Sequence, residues 1–513
     1  MKALHARMRY RGVLILLLAI VTVLLHVPAM LENLVPAFAA TTSRASLATR
    51  AVVRVSTKPL ATPDRKVTPD AIEPGSPAAD PSPTPLCGQP NDKLIHPPPN
   101  WASFTPPSKG GSYVDPVFGC TITRLTDVSN EDPTGDSHFL SINHYYASLS
   151  PINANDSMLL LGDGWGWFVT DMNGNVVVSR ASMPPGNLGT RLWDASDPSV
   201  FYYTSGQSLM KGTIGGFVVN TATVHQFSEY TVINFMDEAD VSEDGMHVVI
   251  VGGDATGSSS EDVFDYNFVT NTKGPVYRTT CTGSVNGPNN SCLHKLVQTS
   301  DNNIIIQFAG DGSGAEQGNR LWNGTFPLPH VQDVTAHLDS GYDLVGNPIF
   351  ITLNNSYTLA GVTNPCPSGW GLDVRSISNI SASSCLLDNP SAWHVSYRGG
   401  PSQPWVVLSF FDWGRTQSPE LFNTNSNYTA PTTSNWRLYE DEIVLARVDG
   451  NAVYRLAHAR SRSMENFWAT PRAAISRDGK YIVFDSNMAF PNSCPSNMQV
   501  VTACSDVYLV KVF

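Results

Sequence analysis

A small polar turn followed by an apolar strand recurs along this chain, and that repetition limits the fold more than any other feature. The clearest copy is residues 475–484, ISRDGKYIVF, in which Asp478-Gly479 supplies the turn and alternating apolar residues the strand. The same signature stands at residues 241–250 as VSEDGMHVVI. Looser copies fall at 149–161, 195–203, 299–308, 341–353 and 397–410, so that seven units are spread from about residue 110 to the end. Several units continue into further strands, as in WFVTDMNGNVVVSRA, where Asp171 to Gly174 makes a hairpin turn. About four antiparallel strands repeated seven times, at roughly 57 residues each, describe an all-β, seven-bladed β-propeller. A two-sheet sandwich would have no reason to repeat the turn. The last unit is one strand short. Residues 119–126, GCTITRLT, are expected to pair outside residues 506–512 and close the ring.

Composition agrees with a turn-rich β protein. Thirty-nine Gly and 37 Pro leave little room for long helices, while 42% hydrophobic and 15% charged residues exclude a disordered chain. The net charge of -12 argues against nucleic acid as a partner. Lys2, Arg7, Arg9 and Arg11 precede an apolar run at residues 12–25, followed by Ala37-Phe38-Ala39, the layout of a secretory signal. Residues 1–40 are therefore read as a signal peptide cleaved near Ala39, with an uncleaved anchor as the alternative and the only route to a membrane. Fourteen of the 37 prolines fall between Pro59 and Pro107, so residues 41–109 read as a disordered stalk and 110–513 as the propeller domain. The protein is expected outside the cytoplasm, as a monomer.

Eight cysteines in an exported chain, with no Cys-x-x-Cys pair, read as disulfides. Their spacing suggests sequential pairing: Cys87 with Cys120, Cys281 with Cys292, Cys366 with Cys385, and Cys494 with Cys504. Asn155, Asn323, Asn354, Asn379 and Asn427 begin glycosylation triplets, which also arise by chance.

The S-x-D-G turn, its apolar strand and the DVYLV strand at 506–510 resemble the TolB-type and oligogalacturonate-lyase-type propellers over most of residues 119–513. Such propellers include scaffolds, peptidase lids, sugar binders and polysaccharide lyases, so the resemblance specifies fold more than activity. In the lyase branch, histidines just ahead of the last blade's turn help to hold a metal. Here that stretch reads Asn466-Phe467-Trp468-Ala469-Thr470-Pro471-Arg472, without histidine. No cofactor is therefore assigned, and a divalent metal held by the remaining funnel residues is the alternative.

Equivalent strand starts in a ring converge on one funnel. Counting back from each turn places His144 and Tyr145, Arg191 and Trp193, Asp237 and Glu238, His294 with Lys295, His337, Trp393 and His394, and Arg472 near Trp468 on that rim. For catalysis on a uronic-acid polymer, Arg191 and Arg472 would neutralise the carboxylate, His144 or His394 would take the C5 proton, and Tyr145 would protonate the leaving oxygen. Trp193, Trp393 and Trp468 would stack on sugar faces, and Asp237, Glu238, His294 and His337 would bind the ligand. The plainer reading is a channel lined with polar residues and ordered water. The expected function is a propeller that binds a glycan, a protein or another polar ligand, with a polysaccharide lyase as the alternative. Elsewhere, residues 163–167, DGWGW, are expected to pack between blades, Gly312-Ser313-Gly314 lacks the strand-to-helix context of a phosphate loop, and Asp254, Asp262 and Asp265 read as a solvated turn.

Overall fold

The computed structural model of this chain describes residues 84–513 apart from 102, 132–140, 163–165, 188–189, 237–238, 254–259, 283–292, 309–315, 317, 327, 329, 333–336, 355–364, 370, 389–391, 411–431, 462–468 and 489–504. Its strands form seven antiparallel sheets in chain order. Blade 1 holds Met158–Gly162, Trp167–Asp171 and Val176–Val178, with Asn143 bridged to Gly162 on its inner side. Blade 2 runs from Leu192–Trp193 through Val200–Ser205 and Ser208–Gly215 to Val218–Gln226, and blade 3 from Val232–Asn234 through His247–Gly253 and Ser260–Asn267 to Thr272–Thr282. Blades 4, 5 and 6 start with Leu293–Gln298, Leu338–Tyr342 and Ala392–Ser396 and end with His330–Gln332, Ser383–Leu387 and Val453–His458. Blade 7 combines Ala474–Ile475, Tyr481–Ser486 and Asp506–Lys511 with two strands from the front of the chain.

The repeated turn has one bonding scheme. In blade 3 the Ser242 hydroxyl donates to Asp244 at 2.6 Å and accepts the His247 amide at 3.0 Å, while Asp244 accepts the Met246 amide at 2.9 Å. Blade 7 repeats it with Ser476 and Asp478, and blade 4 uses Thr299 and Asp301. Short oxygen side chains suit this place because they satisfy turn amides locally. Each such turn needs one residue with left-handed backbone, filled by Gly245 (φ 72°), Gly479 (φ 81°) and Asn302 (φ 62°).

Among the described residues, seven clusters of buried apolar side chains fill the seven seams between blades. Strand Trp405–Phe410 explains how: Val406 and Leu408 pack toward blade 5, while Trp405 and Val407 pack toward blade 7. A second strand is thus buried on both faces, which is why these segments read as near-continuous apolar runs.

Ring closure occurs where the sequence places it. Ile122, Thr123 and Arg124 pair with Val510, Leu509 and Tyr508. The buried Asp506 carboxylate fixes the join, accepting Arg124 Nη2 at 2.7 Å, Thr126 Oγ1 at 2.7 Å and the Val128 amide at 2.8 Å. Ser112–Val114 adds a further strand outside it. Residues 84–109, expected within the stalk, lie on the ring instead: Gln89 and Pro90 pair with Arg455 and Tyr454, and the Leu86 amide donates to Val512 O at 2.8 Å. Proline there occupies a sheet edge, where a missing amide costs nothing. The expected signal and residues 41–83 lie outside the described residues.

The Cys87–Cys120 and Cys366–Cys385 disulfides form as expected. The other two expected pairs include residues that are not described. Asp262 and Asp265 do not sit in a solvated turn: both lie on Ser260–Asn267, where Asp262 takes two bonds from Arg278 (2.7 and 2.8 Å) and Asp265 lies 2.6 Å from His247 Nδ1. Trp167 packs beside the seam between blades 1 and 2, and Gly312-Ser313-Gly314 falls outside the described residues.

Asp506→Ala strands a buried guanidinium, a hydroxyl and an amide. It is expected to lower the unfolding free energy by about 3 to 5 kcal/mol, read from the urea midpoint at constant slope. A loss below about 1 kcal/mol would show that strand pairing alone holds the ring shut.

Candidate functional site

Residues from opposite sides of the ring meet on its axis. Tyr146 follows the inner bridge of blade 1, yet its hydroxyl accepts Lys295 Nζ of blade 4 at 2.7 Å and is hydrogen-bonded to His337 Nδ1 at the head of blade 5. Its ring also meets His394 of blade 6 edge-on, with centroids 5.5 Å apart. His337 and His394 stand 4.5 Å apart between ring centres, and Lys295 Nζ lies 3.3 Å from His337 Nδ1. Contacts among blades 1, 4, 5 and 6 of a seven-membered ring must cross the channel.

Blade 7 supplies the rest. Arg472 Nη2 donates to Asp485 at 2.7 Å, and Nη1 donates to the Tyr145 carbonyl at 3.0 Å. His144 lies with its Nε2 3.6 Å from the same Asp485 carboxylate, and neither ring nitrogen has a hydrogen-bond partner among the described residues. Tyr145 (φ 80°) and Arg472 (φ 37°) both hold left-handed backbone, uncommon for side chains of this size and held here by surrounding contacts.

Burial governs the charges. Desolvation, with help from Arg472, lowers His144 to about 3, and desolvation holds His337 and His394 well below the usual histidine range. Burial pushes Asp485 up to about 7 against the pull of Arg472. At neutral pH the imidazoles are therefore uncharged, leaving the Lys295 ammonium and the Arg472–Asp485 pair. The arrangement suits an anionic group approaching Lys295, with neutral rings able to donate or accept a proton.

His144, His337, His394 and Arg472 are thus brought together as the repeat predicts, and His294 adjoins them from an exposed position next to Lys295. The Tyr145 ring lies tilted against Trp167, with centres 5.5 Å apart, and its carbonyl accepts Arg472 Nη1. Arg191 lies over the Tyr203 ring at 5.1 Å, and Trp193 is buried in the seam between blades 1 and 2, its indole N–H donating to Pro151 O at 2.9 Å. Asp237, Glu238 and Trp468 fall outside the described residues, as does the Trp393 side chain. Tyr146 and Asp485 were missed. Tyr146 follows Tyr145, whose left-handed backbone (φ 80°) turns the chain so that the Tyr146 amide donates to His144 O at 3.3 Å, and strand alternation gives no signal for it; Asp485 stands on a second strand, beyond any count along first strands. Among the described residues no three His, Cys, Asp or Glu side chains are arranged to hold a metal ion.

With seven blades in order, a strand from the front closing the last, and contacts crossing one axis, the architecture is decided. The chain is a seven-bladed β-propeller. No protein-family model matches it, and no curated protein does. Solved structures align with it at low identity. The Pan2 WD40 domain of Neurospora crassa aligns at 10% identity over 76% of this chain and 95% of that one, with a TM-score of 0.40. TolB from Acinetobacter baumannii aligns at 13% identity over 62% of this propeller chain and 64% of its own, with a TM-score of 0.29. The PQQ domain of pyranose dehydrogenase from Coprinopsis cinerea aligns at 12% identity over 61% and 90%, with a TM-score of 0.30.

The depressed His144 makes a signed prediction. Its folded pKa lies below the unfolded value of about 6.5, so the unfolded chain takes the proton first and the propeller loses stability as pH falls through that range. By pH 5 this loss amounts to about 2 kcal/mol. His144→Asn removes it, so the variant should gain about 2 kcal/mol relative to wild type between pH 7 and pH 5, measured by urea unfolding at both. A constant difference would mean that folding leaves the titration of this imidazole unchanged.

Proposed function

We propose that this chain is an exported propeller whose channel binds a carboxylate-bearing polar ligand, with uronic-acid-containing glycans the class that fits best. The observation that carries this reading is the Lys295 ammonium held on the axis by Tyr146 and flanked by uncharged histidines. A carboxylate placed there gains an ion pair where water is scarce. The negative charge of the whole chain is no objection, since buried groups respond to neighbours within a few ångströms and distant surface charges are screened. Export is supported by the two disulfides, which persist in oxidising compartments.

The Tyr146–His337 contact beside Lys295 favours a second reading, a polysaccharide lyase. Tyr146 would pass its proton to His337 and take the C5 proton as a phenolate, Lys295 would neutralise the substrate carboxylate, and the C4 oxygen would leave with a returned proton as the double bond forms. Relative to the roles expected from sequence, Tyr146 takes the base's part given to His144 or His394, and Lys295 that given to Arg191.

Incubation with homogalacturonan, alginate and glucuronan fragments separates the readings. Saturable heat of binding without unsaturated-product absorbance makes the protein a binder; new absorbance makes it a lyase; neither signal on any fragment sinks both. Lys295→Met should weaken binding at least tenfold, a loss of about 1.4 kcal/mol, with little change in thermal unfolding.

A further inference from the structure

A second constellation lies farther along the same channel, toward the repeated turns. Its lining comes from residues at or just ahead of three of them, Asp240 to Glu243, Val297 with Gln298, and Asp339 with Ser340, together with Ser148 and Arg398. The step between the two levels is short: Asp339 follows His337 by two residues and Ser148 follows Tyr146 by two, about 7 Å of extended chain.

The charges at this level are poorly matched to one another. Arg398, 4% exposed, stands 3.5 Å from Asp240 and 3.7 Å from Asp339, both beyond hydrogen-bond reach, and its Nη2 donates to the Ser148 carbonyl. Arg477 behaves alike, donating to Val241 O at 3.0 Å while standing 3.7 Å from Asp240 and 3.8 Å from Glu243. Asp240 and Asp339 take their bonds from backbone amides of Ser150, Val241, Ser340 and Tyr397. Three carboxylates thus face two guanidiniums. Gln298, 8% exposed, lines the same cavity; its Nε2 donates to Asn303 O at 3.3 Å, while its Oε1 has no hydrogen-bond partner among the described residues. Burial raises Asp339 to about 7 despite Arg398 and raises Glu243 as well, as expected of carboxylates short of positive charge. The cavity holds little more than one water-sized group.

We propose that this turn-side cavity is a second binding site, separate from the one at Lys295, and that it takes a primary ammonium group carried on a narrow stem. Such a group brings the missing unit of charge, three donors for Glu243, Asp339 and Gln298, and a size that fits. A quaternary ammonium has no donor and is too wide.

Titration of the full chain with n-butylammonium chloride, followed by calorimetry, tests the site. Saturable binding is expected, weakened at least tenfold in Glu243→Gln and in Gln298→Leu and unchanged in Lys295→Met, so the result stands apart from the fate of the anion site. Acetyl-lysine amide, with its free side-chain amine, and glycine amide, with its free α-amine, distinguish a lysine side chain from a chain terminus as the source. Absence of saturable binding, equal binding of tetramethylammonium or potassium, or indifference to Glu243→Gln would overturn the proposal. Glu243 is partly exposed, so that variant is expected to fold, and a far-ultraviolet spectrum equal to wild type verifies it.

Discussion

No blade of this protein can be apolar on one face only. In strand Trp405–Phe410 successive side chains enter different seams, and the same holds in blade 4, where Ile304 and Ile306 face blade 3 while Ile305 faces blade 5. Each sheet therefore completes two cores and owns neither. The hydrophobic gain of one blade depends on both neighbours, which depend on theirs around to the start. Closure is the condition on which every seam rests, and the Asp506 cluster is where it is met.

The same geometry produces the site. First strands line the axis, so polar side chains on them that do not enter a seam become neighbours across distances in sequence that no local rule links. Burial on the axis then keeps His144, His337 and His394 uncharged and raises Asp485 and Asp339, so the juxtaposition and its electrostatic cost share one cause.

The architecture was legible because its signals are local and repeated. The Ser-x-Asp-Gly turn bonds to itself within six residues, and the missing strand in the last unit pointed to residues 119–126. The site was legible only to within a residue. His144, His394 and Arg472 followed from counting, but the exchange of Tyr146 for Tyr145 turns on a positive φ that tyrosine seldom adopts. Arg191 and Trp193 occupy the expected place in their repeat, yet Tyr203 and the seam between blades 1 and 2 claim their side chains. Proline content suggested a stalk through residue 109. What it could not reveal is that edge strands accept proline, so residues 84–109 dress the ring.

The clasp between Arg124 and Asp506 joins residues 382 positions apart. During synthesis, strand Thr121–Arg124 emerges early and waits without its partner until Asp506–Lys511 has been made. Six blades can stack in order behind it, but the seam between blades 7 and 1 stays open, and the ring lacks its last core, for nearly the whole time of translation. Such long-range pairing folds slowly, and the waiting edge is the segment that a chaperone or a protease would meet first.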